Sequence, residues 1–139
     1  MAVLAGGNSA YDGLNRRIVH AERDYYYNTS WQTLEVRKGQ NADPLKQYVW
    51  DLRYIDAPVL RWRDEDTDGT VDDTLYYCND ANMNVTAVVD GSDGDVVERY
   101  AYDPYGKVTV LDGEDDADGG VSEWSADADN VSDWDNRIG

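Results

Sequence analysis

The chain has 139 residues, no Phe, and sixteen aromatic residues that are all Tyr or Trp, eleven and five of each. That length builds one modest core and not two. The net charge of −17 at pH 7 argues against nucleic acid as a partner, since binding would work against phosphate repulsion. The charge is uneven: residues 1–63 carry nine Lys/Arg against seven Asp/Glu, and residues 64–139 carry three against twenty-two. One cysteine, Cys78, leaves no internal disulfide framework and no multi-cysteine zinc site. The opening MAVLAGGNSA lacks the charged and long apolar regions of a signal peptide. No run approaches the ~20 apolar residues of a membrane helix, so no membrane insertion is expected.

The first turn signal is Tyr11-Asp12-Gly13-Leu14-Asn15-Arg16, where Asn15 is the non-glycine residue best suited to a left-handed conformation. A weaker echo follows Tyr25-Tyr26-Tyr27 at Asn28-Thr29-Ser30-Trp31-Gln32, after which Leu34 and Val36 share a parity. Tyr48, Trp50, Leu52 and Tyr54 also share a parity around Asp51, which predicts a strand through all four. An acidic insertion occupies residues 63–73. Asp80-Ala81-Asn82-Met83-Asn84 echoes the turn again, but Met83 at the glycine position argues against a tight turn there. Val85, Ala87 and Val89 alternate next.

The stretch VVERYAYDPYGKV, residues 96–108, is the fullest copy. Glu98, Tyr100 and Tyr102 share one parity, and Val97, Arg99 and Ala101 the other. Asp103-Pro104-Tyr105-Gly106 supplies turn chemistry before Lys107–Leu111 resumes a strand. The anchors fall at 12, 28, 51, 80 and 103, each unit being about two short strands plus turns. No stretch of ten residues has a clean 3.6 period. The expected architecture is all-β, an antiparallel meander of hairpin repeats over residues 1–111. An acidic, Asp/Gly-rich tail at 112–139 is expected to lack order, because Trp124 and Trp134 are its only large apolar anchors.

The rhythm carried by Tyr11, Asp12 and Asn15, by Asp80, and by Tyr102, Asp103 and Gly106 resembles the YD repeats of the Rhs (rearrangement hotspot) family. The resemblance covers residues 11–111. It implies a β-hairpin strip that coils into a hollow shell, as in bacterial polymorphic toxins, insecticidal toxin complexes and the teneurins of animal cell surfaces. In the toxins the shell encloses a cargo polypeptide, and a core segment after the repeats releases it with aspartates. No segment of this chain matches that core, so autoproteolysis is not carried over. The implied partners are the remainder of an Rhs-type polypeptide or its cargo. The implied setting is secreted or cell-surface, as part of a larger protein.

The insertion RDEDTDGTVDD holds the sharpest metal motif. Asp64, Asp66 and Asp68 alternate before Gly69 and Asp72, matching positions 1, 3, 5, 6 and 9 of a calcium loop, with the Thr70 carbonyl as a further ligand. Position 12 is Leu75 instead of the bidentate Glu, so a helix-loop-helix hand is not expected. The residues fit a looser Ca2+ turn and also a solvated acidic hairpin tip. Catalysis has little support: His20 is the one histidine, and no nucleophile context marks a partner for it. Tyr48, Trp50, Tyr54, Trp62, Tyr100 and Tyr102 fit a sugar-stacking platform, but at period two they fit cross-strand pairs better. The sequence therefore points to a non-catalytic structural repeat module of a β-shell wall, with open sheet edges able to self-associate. A calcium-stabilised binding or adhesion module for glycan or protein is the alternative.

Overall fold

A computed structural model describes residues 9–39, 43–113 and 130–132. They form one ten-stranded antiparallel sheet whose spatial order equals the chain order. The strands are β1 (Ser9–Tyr11), β2 (Arg17–His20), β3 (Arg23–Tyr27), β4 (Thr33–Lys38), β5 (Pro44–Trp50), β6 (Pro58–Arg63), β7 (Asp73–Asn79), β8 (Val85–Asp90), β9 (Val96–Tyr102) and β10 (Val108–Asp112). No helix occurs among the described residues. The expected all-β hairpin meander is what the chain forms.

A meander puts alternate turns at opposite ends of the strands. All five anchors, at 12, 28, 51, 80 and 103, therefore share one rim, and the acidic loop after β6 lies on the opposite rim. On the anchor rim the returning strand carries a bulge beside each of the first four turns. Ala10 and Tyr11 face Val19 and Arg17, skipping Ile18; Tyr26 and Tyr27 face Glu35 and Thr33, skipping Leu34. Val49 and Trp50 face Leu60 and Pro58, skipping Val59; Cys78 and Asn79 face Ala87 and Val85, skipping Thr86. Each bulge adds right-handed twist and bends the strand. Two further bulges lie on the opposite rim, at Leu45 in β5 and at Val97 in β9.

Register separates the two faces. Val36 pairs with Lys46, Tyr48 with Arg61, Arg61 with Leu75, Tyr77 with Val88, Val88 with Glu98, and Tyr100 with Val110, so these side chains share one face. Leu75, Val85, Val88, Tyr100 and Val110 form the buried cluster on it, with Tyr77, Tyr102 and Val108 half-buried against them. On the other face Tyr76 and Cys78 are exposed.

A bulge explains one departure from the sequence pattern, and the turn at 51–57 a second. Val85, Ala87 and Val89 do not share a face: the skipped Thr86 shifts the parity, so Val85 and Val88 enter the cluster together. The strand expected through Leu52 and Tyr54 stops at Trp50; both residues lie in a loop, with Leu52 fully exposed. Of the tail at 112–139, only Asp112, Gly113 and Asn130–Ser132 lie among the described residues, and the expectation of disorder falls mostly outside them.

Candidate functional site

Four of the five anchors build the same turn. The anchor N–H donates to the carbonyl four residues on: Asp12 to Arg16, Asn28 to Gln32, Asp80 to Asn84 and Asp103 to Lys107, at 2.9, 3.0, 2.9 and 3.0 Å. The N–H three residues on returns to the anchor carbonyl from Asn15, Trp31, Met83 and Gly106. The anchor side-chain oxygen then accepts two more N–H groups, two and four residues on: from Leu14 and Arg16, Ser30 and Gln32, Asn82 and Asn84, and Tyr105 and Lys107, all at 2.8–3.0 Å. Asp and Asn both serve because only one acceptor oxygen is needed, the Asx turn in extended form.

The residue three past each anchor is left-handed, with φ of 63° at Asn15, 68° at Trp31, 66° at Met83 and 86° at Gly106. Only Gly106 adopts that φ without steric cost. The turn at 80–84 thus forms despite Met83, contrary to the sequence expectation. Four hydrogen bonds per turn hold a residue type that would otherwise avoid this region. At Asp51 the pattern is stretched: Oδ1 still accepts from the Arg53 N–H at 2.7 Å, but the backbone closes at the Ala57 carbonyl, 2.8 Å away.

The aromatic residue before an anchor ties its turn to the preceding one. Tyr27 Oη donates to the Arg17 carbonyl at 2.9 Å, Trp50 Nε1 to Thr33 at 2.8 Å, and Tyr102 Oη to Val85 at 2.8 Å. Each acceptor lies five residues past the previous anchor on this rim. There the ladder to the next strand has lapsed: β2 pairs with β3 only at Val19 and His20, and β4 leaves β5 after Glu35. A side-chain donor thus supplies the bond that the backbone no longer makes. Burial, the larger cause in both cases, raises the Tyr27 and Tyr102 phenol pKa values, and these groups remain neutral donors. Asn79 holds the equivalent place before Asp80 and bonds instead within its own turn, Nδ2 to the Met83 carbonyl at 3.2 Å. A second tie runs forward. Arg16 Nη1 donates to the Asn28 carbonyl at 3.1 Å, its guanidinium against the Tyr27 and Trp31 rings. Gln32 Nε2 likewise donates to the Ile55 carbonyl.

The cluster face is concave. A cavity of about 710 Å3 is lined by side chains from β3 through β9 and by the turns at 51–57 and 80–84, which a flat face would not enclose. Its aromatic walls are Tyr25, Tyr48, Trp50, Tyr54, Tyr77 and Tyr102, with Tyr48 and Trp50 stacked at 6.2 Å between centroids. Among the described lining residues Arg23, Lys46 and Arg61 bring positive charge against the carboxylate of Asp56, in a chain of net charge −17. The six aromatics read from sequence as one group are divided: Trp62 lies on the opposite face with Gln47 and Thr74, and Tyr100 is buried in the cluster. The sequence pattern missed Tyr25 and Tyr77, whose place in the cavity depends on curvature.

On the opposite rim, ligand oxygens of Asp64, Asp66 and Asp72 lie within 4.8 Å of one another. Asp64 is buried and accepts from the Thr67 and Gly69 N–H groups at 2.6 and 2.9 Å; Asp72 Oδ2 accepts from Glu65 N–H at 2.7 Å. Asp68 lies outside this group. It accepts from both the N–H and the hydroxyl of Thr70, which hold its pKa below the ordinary value. His20 ends β2, its Nδ1 3.1 Å from Ser9 Oγ. The chain matches no family model and no curated protein.

Replacing Asp103 by Asn should leave stability nearly unchanged, because Asn28 already fills this position. Asp103→Ala leaves two N–H groups to water and should cost about 1 kcal/mol, as should Tyr102→Phe, which strands the buried Val85 carbonyl. Urea denaturation with an unchanged m-value would register these differences.

Acid should loosen the anchor rim. The Arg53 side chain, chiefly, holds Asp51 down to about 2; the backbone N–H of Arg16 lowers Asp12, and the Asn84 amide lowers Asp80. Folded pKa values below the ordinary aspartate value of 3.8 mean that the unfolded chain binds more protons. Their contribution is complete above that value and disappears as pH falls toward about 2. Chemical denaturation in screening salt should therefore give lower stability at pH 2.5 than at pH 5.

Proposed function

We propose that this chain is a non-catalytic structural module, a strip of YD-type β-hairpin repeats forming part of the wall of a β-shell. On the resemblance to Rhs proteins, the parent polypeptide encloses or presents a toxin or an adhesive element at the cell surface. The observation that carries the proposal is the fourfold Asx turn on one rim, with aromatic ties joining successive turns. Such a device holds repeats to their neighbours and needs no partner outside the sheet. Bulges beside four of the anchor turns bend the strands there, and a curved strip is what a shell wall requires.

A wall built from repeats is extensible, since each unit contacts only its neighbours. Duplicating residues 80–102 between Tyr102 and Asp103 adds one turn, two strands and the opposite-rim turn. The longer chain should fold with a cooperative melt and stability no lower than the parent, read by circular dichroism and denaturant titration. Loss of folding would contradict a repeat module.

A second reading, a calcium-stabilised binding or adhesion module, is favoured by one observation: the convergence of Asp64, Asp66 and Asp72. Carboxylates that already accept loop N–H groups keep lone pairs for a hard cation. If they hold Ca2+, calcium at ~100 times its Kd would add about 2.7 kcal/mol and raise the melting temperature by roughly 5–10 °C. EDTA should reverse that shift and Asp66→Ala should abolish it. An unchanged melt with and without calcium would leave the acidic loop a solvated tip.

A further inference from the structure

The charges and rings that line the concave cavity are sorted along the strands. β3 and β5 run toward the anchor rim, so Arg23 and Lys46 stand at the far end of the cavity and Trp50 at the near end. Tyr54 and Asp56 follow in the turn at that near end. Four residues of extended chain put Lys46 about 13 Å from Trp50. Midway between them Tyr48 stacks on Trp50 and stands opposite Arg61. Arg61 is only 1% exposed, and its cross-strand neighbours are Tyr48 and Leu75, neither of them acidic. A guanidinium held out of water in this way favours an anion beside it.

The cationic end also stores repulsion. Arg23 lies directly opposite Lys38, and Lys46 directly opposite Arg63, positions in which like charges destabilise a sheet. Asp73 offsets Arg63 at 2.6 Å, whereas neither Arg23 nor Lys38 has an ion pair among the described residues. On the other face the chain does the reverse, setting Arg37 opposite Asp24 and bonding it to Glu35.

We infer that this cavity binds an elongated aromatic carboxylate of two or more rings. Its carboxylate lies against Lys46 and Arg61, and its rings lie along Tyr48 and Trp50. The charge selects an anion, and flat Tyr and Trp walls select rings, which stack on them in offset geometry. The separation of the two ends selects a body longer than one ring, and about 710 Å3 is the size of a small-molecule site. A rigid ring system also loses less freedom on binding than an alkyl chain or a peptide. Asp56, the lining carboxylate that would repel such a ligand, belongs to the ring end. The inference goes beyond both readings of function: it rests on the concave face alone and needs neither a shell nor Ca2+.

Isothermal titration calorimetry in EDTA tests it, with biphenyl-4-carboxylate as the probe. The acid should bind with a Kd below about 1 mM. Biphenyl-4-carboxamide, its uncharged counterpart, should bind about tenfold more weakly or worse, because it loses the charge-assisted bonds. Decanoate and tetraglutamate, which carry charge without rings, should also bind about tenfold more weakly. Arg61→Met should weaken the acid by about tenfold and leave the carboxamide unchanged. On the unaltered chain, titration with the acid should shift the amide resonances of Tyr48, Trp50 and Arg61, which locates the site even if Arg61→Met does not fold. No binding of the acid at that strength, equal affinity for the carboxamide, or shifts confined to other faces would overturn the site. Decanoate or tetraglutamate binding as tightly as the acid would overturn the aromatic class.

Discussion

One side-chain oxygen accepting two backbone N–H groups is the interaction on which this sheet depends. At Asp12, Asn28, Asp80 and Asp103 it closes a five-residue turn and holds the fourth residue left-handed. At the first three of these the chain re-enters the sheet one residue out of step, and that offset is the bulge. The bulge bends the strip, and where the backbone ladder lapses a Tyr or Trp side chain completes it. Turn, bulge and aromatic tie form one mechanical unit, and the concave face with its cavity follows from repeating it. A Tyr-Asp pair is thus a donor and an acceptor serving two different turns.

The same device lets an acidic chain fold. Many Asp carboxylates of this protein are used as acceptors for backbone N–H groups within their own loops. Asp12, Asp51 and Asp80 do this on the anchor rim, and Asp64, Asp72, Asp90 and Asp93 on the other. At Asp12, Asp51 and Asp80 these bonds favour the charged carboxylate. Arg23, Lys46 and Arg61 meanwhile line the concave face.

Much of the fold was legible because the turns punctuate the sequence with Tyr-Asp and with Gly or Asn at the left-handed position. Trp31 and Met83 were not legible in that position, since neither residue type favours it; hydrogen bonds from the anchors override the local preference. The bulges leave no compositional mark, so parity misplaced Ala87 and Val89. It also ran a strand through Leu52 and Tyr54, where the turn at 51–57 stands instead. The acidic loop was legible as carboxylates at alternating positions. Which of them converge depended on Asp68 turning to Thr70 instead.

The central claim is that one turn geometry recurs at four anchors, and residue-resolved amide hydrogen exchange tests it directly. The N–H groups of Arg16, Gln32, Asn84 and Lys107, four residues past their anchors, lie in exposed loops but should exchange slowly and with similar protection. Exchange at all four within reach of the unstructured rate would contradict the account. So would protection at Lys107 alone, where glycine makes the turn easy, because the other three positions would then lack the geometry that bends the strip.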